Sequence, residues 1–241
     1  MHTLLRSVRD LFWPAACGGC GHPGPVVCPG CAADVAALGS LRRHHPTPCP
    51  DGFPPTVVWG SYAGALKRLV LAYKDAGRAD LTGLLATLLA DVVEEVMGPL
   101  SAPVIVPVPS AAAARRLRGR EPVTDLVRGM RLARPVRVAP VLRVRRAVRD
   151  QAGLDHRARA ANLAGSFTVV PGGRDLVAGR SVVVIDDVVT TGATLTEAAR
   201  ALRREAAAGS VHSAVLCATQ RRGGRVGSHA APGLPTGGVL H

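Results

Sequence analysis

The middle of the chain alternates between apolar residues spaced as in helices and short apolar runs typical of buried strands. The clearest helical pattern lies between Leu81 and Val96, where apolar residues recur every three or four positions and Asp80 is placed to cap the first turn. Further helices are predicted over 123–130, from about residue 155 and after residue 194. The apolar runs that predict strands are 104–108, 136–142, 167–170, 181–185 and 211–217. This alternation predicts an α/β fold with a mostly parallel sheet flanked by helices.

Composition divides the chain into three parts. Residues 1–55 hold five of the six cysteines and many prolines and predict a small module. Residues 56–220 carry the alternating pattern and predict the main domain. Residues 221–241 are rich in Gly and Pro and predict a disordered tail.

Charge and apolar content exclude some classes of protein. No run of 18 apolar residues occurs, which argues against membrane insertion, and charges at Arg6, Arg9 and Asp10 interrupt the only signal-like segment. We therefore expect a cytoplasmic protein. The formal net charge of +13 suits either nucleic acid or a small polyphosphate ligand, and the charge alone does not decide between them.

The stretch VVVIDDVVTTGATL, residues 182–195, carries the strongest chemical signal. Asp186 and Asp187 follow an apolar strand, and ligands of parallel sheets bind beyond the carboxyl ends of the strands. The next residues lead into a helix whose first amides are free to bind an anion, while Gly192 lets a phosphate approach the backbone. The carboxylates would hold sugar hydroxyls or a hard cation. The simpler alternative, a buried strand that ends in one capping Asp, leaves the second acid and the TTGAT run unexplained.

These residues resemble the ribose-phosphate motif of the type I phosphoribosyltransferases. The resemblance implies binding of phosphoribosyl pyrophosphate and Mg²⁺, with Asp186 and Asp187 on the ribose hydroxyls in the catalytic role. It also implies that the following loop binds the 5-phosphate. The substrate-binding residues of that segment are Val188, Val189, Thr190, Thr191, Gly192, Ala193 and Thr194.

Other segments are similar to the ComF family of competence-associated proteins. They are the cysteine module, AYKDAGR at 72–78, IVPVPS at 105–110, RLRGR at 116–120 and LRVRR at 142–146. The resemblance implies a link to DNA uptake. Where that family commonly has Phe, Asn and Gln after RG, this chain has Arg120, Glu121 and Pro122.

The pyrophosphate group needs cationic partners near the turn that follows Val108. Pro109 and Ser110 of that turn, together with Arg118, are expected to bind it, and Arg143 belongs to a basic segment that could close over it as a lid. A solvated basic face is the alternative for each arginine. For Lys74, one of only two lysines, a plain position at a helix end is favoured over a place in the site.

Two CxxC pairs predict a metal site near the N-terminus. Cys17, Cys20, Cys28 and Cys31 provide four thiolates, which can close a tetrahedral shell around Zn²⁺. Such a shell has no position for substrate, so the Zn²⁺ would be structural. Vacant thiols or redox pairs are the alternatives.

Together these patterns predict a Mg²⁺-dependent phosphoribosyltransferase whose acceptor is unknown. The alternative is a non-catalytic protein that binds phosphoribosyl pyrophosphate or single-stranded DNA, and the cysteine module could also dock onto competence-machinery proteins. Against DNA binding, few aromatic residues lie near the arginines to stack on bases.

Overall fold

The computed structural model describes residues 16–110, 116, 118–145 and 165–219. The helices are α1 (Pro29–Leu38), α2 (Gly64–Lys74), α3 (Thr82–Met97), α4 (Pro122–Gly129), α5 (Gly173–Val177) and α6 (Ala193–Ala206). The strands are β1 (Gly39–Arg43), β2 (Thr56–Ser61), β3 (Val104–Pro107), β4 (Arg137–Val138), β5 (Leu142–Val144), β6 (Phe167–Val169), β7 (Ser181–Val189) and β8 (Ser210–Ala218). None of the described helices is long and apolar enough to cross a membrane.

A six-stranded sheet with the order β1-β2-β8-β7-β3-β4 organises these elements. All neighbouring strands are parallel except β1, which runs antiparallel to β2 at one edge. The predicted mostly parallel sheet flanked by helices is therefore confirmed. Because the parallel strands share one direction, their carboxyl ends lie along a single edge of the sheet, where β3 and β7 are neighbours.

Both faces of this sheet are covered, and β7 shows how its sequence serves both. Val183 and Ile185 pack with helices α2, α3 and α4 on one face, whereas Val182 and Val184 pack with α6 on the other. Consecutive residues of a strand point to opposite faces, so an unbroken run of Val and Ile is what a doubly covered strand requires.

Several predicted elements differ in detail. Asp80 does not cap α3, since it lies in a 3-10 turn (Ala79–Leu81) and pairs with Arg78 at 2.7 Å. The run 136–142 does not form one strand, because Pro140 interrupts it: β4 ends at Val138 and β5 begins at Leu142. Strand β6 pairs with β5 in a separate antiparallel hairpin instead of joining the main sheet.

The sequence patterns missed α1, α2, α5, β1 and β2. Strand β1 extends the main sheet although it lies before residue 55, so the boundaries of the three predicted parts stay predictions. The helix expected from about residue 155 and the tail 221–241 lie outside the described residues.

Candidate functional site

A cleft of about 260 Å³ lies at the carboxyl edge of the sheet, between the end of β7 and the turn that follows β3. The two strands hold this geometry together, because Pro107 pairs with Ile185 and the Val108 amide donates to the Ile185 carbonyl at 2.9 Å. The lining residues are Lys74, Val108, Pro109, Ser110, Arg118, Pro122, Val123, Asp186, Asp187, Val188 and Thr194. Residues far apart in sequence thus meet where parallel sheets bind ligands.

The two acids are the sixth and seventh of the nine residues of β7, which continues beyond the predicted end at residue 185, and both are almost completely buried. Asp186 is 8% exposed and Asp187 is 3% exposed. The Asp187 amide donates to Asp186 Oδ1 at 2.8 Å. Burial, reinforced by the negative charge of Asp187, raises the pKa of Asp186 to about 8 despite the opposing effect of Lys74. Buried carboxylates are costly in a folded protein, so this pair is an unfavourable feature that a cation or hydroxyl donors would relieve.

Lys74, at the end of α2, provides the cationic partner of Asp187. Its Nζ lies 3.0 Å from Asp187 Oδ1, to which it donates a hydrogen bond, and 2.9 Å from Oδ2. Burial lowers the pKa of Lys74, but the carboxylate of Asp187 outweighs that effect and the net shift is upward, so Lys74 is charged at neutral pH. The preference for a plain helix-end lysine does not fit this contact. The one signal in the sequence was the rarity of lysine, since Lys67 is the only other one.

The turn after β3 forms the other wall of the cleft. The Ser110 amide donates to Glu121 Oε2 at 3.0 Å, and Arg118 Nη2 lies 3.0 Å from Asp75 Oδ1 at the end of α2. Arg118 thus faces the cleft while it links this wall to the helix that carries Lys74. Sequence reasoning did not assign Glu121 to the site.

The loop between β7 and α6 connects the acids to Thr194, the residue of α6 that lines the cleft. Gly192 precedes the first turn of α6 with φ of 79°, and this N-cap residue has no side chain that could cap the helix. A Cβ atom at Gly192 would lie 2.7 Å from the ring of Phe53, so both the backbone conformation and the close packing require glycine. Thr191 Oγ1 accepts a 3.4 Å hydrogen bond from the Ala193 amide. The uncapped turn leaves amides able to bind an anion.

Some of the residues predicted to bind substrate do not line the cleft. Val189 is buried in the core and pairs with Ala218, while Thr190 is exposed on the loop. Thr191, Gly192 and Ala193 are also not among the lining residues. Arg143 lies exposed on β5, opposite Thr168, and Arg146 and Arg149 of its basic segment fall outside the described residues.

The four cysteines of the two CxxC pairs form one cluster. Their Sγ atoms all lie within 4.8 Å of one another, and Cys20 Sγ and Cys28 Sγ are 3.7 Å apart. A tetrahedral Zn²⁺ site with Zn–S distances of about 2.3 Å places its sulfurs roughly 3.8 Å apart. The donor set and its spacing therefore fit zinc.

Ionisation of these thiols is uneven. Burial raises the pKa of Cys17, but backbone amides of Cys28, Cys20 and Gly19 outweigh that effect and lower it to about 6. Burial and the neighbouring sulfurs raise the pKa of Cys31 to about 12. The lowered pKa of Cys17 favours its thiolate, which gives the cluster negative charge that a cation would compensate.

The cluster is packed against the main domain. A Cβ atom at Gly18 would lie 2.9 Å from Leu81 Cδ1 and 3.3 Å from Leu69 Cδ2, and Arg68 Nε donates to the Gly19 carbonyl. Leu69 and Arg68 belong to α2, the helix that ends at Lys74. The four-cysteine cluster and the cleft therefore share one helix.

Comparison with known proteins places these features in context. The family model of the phosphoribosyl transferase domain matches residues 82–231, which is more than half of the chain. Among solved structures, a phosphoribosyltransferase from Corynebacterium diphtheriae is 18% identical, with 78% of this chain and 81% of that chain covered at a TM-score of 0.33. No curated protein matches the chain.

Proposed function

The chain belongs to the phosphoribosyl transferase domain family, and from that premise we propose that it binds phosphoribosyl pyrophosphate with Mg²⁺ and transfers the phosphoribosyl group to an acceptor. The observation that carries this proposal is the pair of buried acids beside an uncapped helix start. Asp186 and Asp187 supply acceptors for ribose hydroxyls, and the loop that ends at Gly192 supplies amides for a phosphate.

Each wall of the cleft has a role in this proposal. The carboxylates of Asp186 and Asp187 accept hydrogen bonds from the ribose hydroxyls, and the loop from Thr190 to Thr194 binds the 5-phosphate. The Ser110 amide and Arg118 bind the pyrophosphate group across the cleft. Arg143 lies on β5 and is not among the residues that line the cleft, so the cleft does not support its expected contact with the pyrophosphate.

The proposed reaction is a displacement at the anomeric carbon of ribose. A bond forms from an acceptor lone pair to that carbon, the carbon–oxygen bond to pyrophosphate breaks, and the leaving pyrophosphate takes the bonding electron pair. The acceptor releases its proton to solvent. Because the transition state has cationic character at the ribose ring, the main tasks of the protein are orientation and stabilisation of the leaving group. No covalent nucleophile is required.

The acid pair also fits Mg²⁺. Two carboxylates and no soft donors are what this hard cation prefers, and Mg²⁺ is commonly held by one or two carboxylates together with phosphates of the substrate. When bound, the ion neutralises charge on the pyrophosphate. The raised pKa of Asp186 agrees with this assignment, since it marks a carboxylate that lacks cationic compensation.

Lys74 is expected to change partners when such a ligand binds. Its ammonium group donates to Asp187 Oδ1 and lies 2.9 Å from Oδ2, an oxygen that has no hydrogen-bond partner among the described residues, so it competes with hydroxyl groups or a metal ion for that carboxylate. Its side chain is 30% exposed and lines the cleft, so the ammonium group can turn toward a phosphate.

Isothermal titration calorimetry tests the proposal. The wild-type protein is expected to bind phosphoribosyl pyrophosphate in the presence of Mg²⁺, and the Asp186→Ala, Asp187→Ala double variant is expected to lose binding by at least a hundredfold. Equal affinity of both proteins would contradict the proposed site. Binding without release of pyrophosphate in the presence of a panel of amine and base acceptors would favour the non-catalytic alternative.

The finer assignment to the ComF family belongs to this proposal as well. It rests on the cysteine cluster, which fits a structural Zn²⁺, and on the segments around Lys74 and Arg118. We extend it to a cytoplasmic role linked to competence and DNA uptake, with docking onto competence-machinery proteins through residues 1–55. Capture experiments with the full chain and with a variant of the cysteine cluster test the docking role.

Binding of single-stranded DNA is a second candidate, favoured by a groove on the opposite edge of the sheet. This groove of about 350 Å³ lies at the amino ends of β3, β4 and β7. Arg134, Arg137 and Arg180 line it, and no acidic residue is among its described lining residues. Fluorescence anisotropy with a labelled oligonucleotide at increasing salt tests this candidate. Unchanged affinity of an Arg137→Ala, Arg180→Ala variant would exclude the groove.

A further inference from the structure

Glu121 contacts the wall of the cleft at the point where the proposed function needs an anion-binding amide. Its Oε2 atom accepts the hydrogen bond of the Ser110 amide at 3.0 Å. Ser110 follows β3 at the carboxyl edge of the sheet and lines the cleft together with Asp186. A side-chain carboxylate and a phosphate oxygen are both anionic acceptors for a backbone amide, so they compete for this donor.

The backbone of Glu121 is held firmly in this position. It precedes α4, and its carbonyl accepts the hydrogen bond of the Asp125 amide at 2.9 Å. The carbonyl of the next residue, Pro122, accepts a 2.9 Å hydrogen bond from the hydroxyl of the fully buried Tyr73. The side chain does not cap α4 but turns to Ser110. The contact therefore comes from an anchored residue and not from a mobile surface side chain.

The opposite wall shows the same relationship with the charges reversed. Lys74 donates to Asp187 at 3.0 Å, and this carboxylate is where the proposed function needs a cation or hydroxyl donors. At one wall the cationic Lys74 takes the place expected for a metal ion or hydroxyl donors, and at the other the anionic Glu121 takes the place expected for a phosphate. Lys74 and Glu121 come from α2 and from the residue before α4, so two separate elements independently produce this arrangement.

We propose that Glu121 is an internal competitor of the pyrophosphate group, which occupies the Ser110 amide in the empty protein and sets how strongly the ligand binds. This inference rests on the proposed function. A ligand phosphate must displace the carboxylate of Glu121 and then lies beside it, and both effects weaken binding.

Glu121→Gln is the discriminating variant, because it keeps the size of the side chain and removes its charge. Its affinity for pyrophosphate and for phosphoribosyl pyrophosphate, both with Mg²⁺, is expected to exceed that of the wild type by on the order of tenfold. Glu121→Ala, which also frees the amide, is expected to bind at least as tightly as Glu121→Gln. The matched control is Glu95→Gln, which removes the same charge. Glu95 is exposed on the last turn of α3, at the opposite edge of the sheet. The affinity of this control is expected to equal that of the wild type.

A second measurement needs no variant. In the wild-type protein, the amide resonance of Ser110 is expected to shift on titration with pyrophosphate, because the hydrogen bond to Glu121 is replaced by one to the ligand. Unchanged or weaker binding by both Glu121 variants, while the wild type binds, overturns the competition and leaves the proposed function intact. If none of the proteins binds either ligand, the proposed function fails, and this inference fails with it.

Discussion

The four-cysteine cluster and the acid pair are two concentrations of ionisable side chains that balance their charge differently. The cluster consists of Cys17, Cys20, Cys28 and Cys31, whose sulfurs all lie within 4.8 Å of one another. The pKa of Arg78 is raised by its hydrogen bond to Asp80 and also by the charge of Cys17. In the acid pair, the ammonium group of Lys74 donates a hydrogen bond directly to Asp187. Four closely spaced sulfurs fit a bound metal ion, whereas a carboxylate that is hydrogen-bonded to an internal cation can exchange this partner for a ligand.

The largest effect on stability is expected from disruption of the four-cysteine cluster. Removal of Zn²⁺ with a chelator, or the change Cys28→Ser, is expected to lower the midpoint of thermal unfolding by roughly 10 °C or more, because metal binding and folding are coupled in small modules. The cluster also packs on Leu69 and Leu81, so its loss uncovers part of the main core.

Metal analysis and thermal unfolding of the purified protein measure this effect. Cys49→Ser is the matched control, since Cys49 is exposed and lies outside the cluster. A protein that is purified without zinc and keeps its full thermal stability in chelator would show that the cluster is not a structural metal site.

A smaller effect is expected when the internal counter-charge of the acid pair is removed. Lys74→Met leaves the carboxylate of Asp187 buried without its cation, and we expect the free energy of unfolding to fall by about 1–2 kcal/mol, discounted because Lys74 is partly exposed. The double variant Lys74→Met, Asp187→Asn is expected to recover most of this loss. Urea denaturation measures both. Lys67→Met, on the exposed side of α2, serves as the control. An equal loss of unfolding free energy in this control would show that the contact of Lys74 with Asp187 does not stabilise the protein.

The stability of the protein is expected to depend on pH through Asp186. Because the pKa of Asp186 is raised from 3.8 to about 8, the folded protein keeps a proton that the unfolded chain releases. Between pH 4 and pH 8 the folded state therefore binds more protons, and stability falls as pH rises through this window and levels off above about pH 8. Between pH 6 and pH 8 we expect the free energy of unfolding to decrease by roughly 2 kcal/mol.

Urea denaturation of the wild type and of Asp186→Asn across this range isolates the contribution of Asp186. The variant cannot titrate at this position, so it is expected to lack this part of the slope and to be more stable than the wild type at pH 8. Parallel pH profiles for the two proteins would contradict the raised pKa of Asp186.

The cysteine cluster and the strand that carries the acids could both be predicted from the sequence. The four cysteines lie within 15 residues, so local spacing predicts their cluster, and the run from Val182 to Asp187 predicts a strand buried on both faces that ends in acids. The partner of Asp187 lies 113 residues earlier in the chain, and no local pattern connects the two. The contact of Glu121 with Ser110 likewise depends on how α4 packs beside β3. Strands, helices and the four-cysteine set can thus be predicted from neighbouring residues, whereas the partners that balance their charge come from distant parts of the chain.

The missed elements have a similar cause. Strand β2 pairs only with β1 and β8, and its sequence TVVWGS is too short to separate from a loop by periodicity. Conversely, the run 136–142 is continuously apolar and predicts one strand. Pro140 has no backbone N–H for the hydrogen bonds of a sheet, so β4 ends before it in the main sheet and β5 begins after it in the two-stranded sheet.

A crystal structure of the protein with phosphoribosyl pyrophosphate and Mg²⁺ would show whether the acid pair binds the ribose. We expect ribose hydroxyl oxygens within hydrogen-bonding distance of Asp186 and Asp187, with the ammonium group of Lys74 moved away from Asp187. A ligand bound elsewhere, with the contact between Lys74 and Asp187 still in place, would rule out this ribose site.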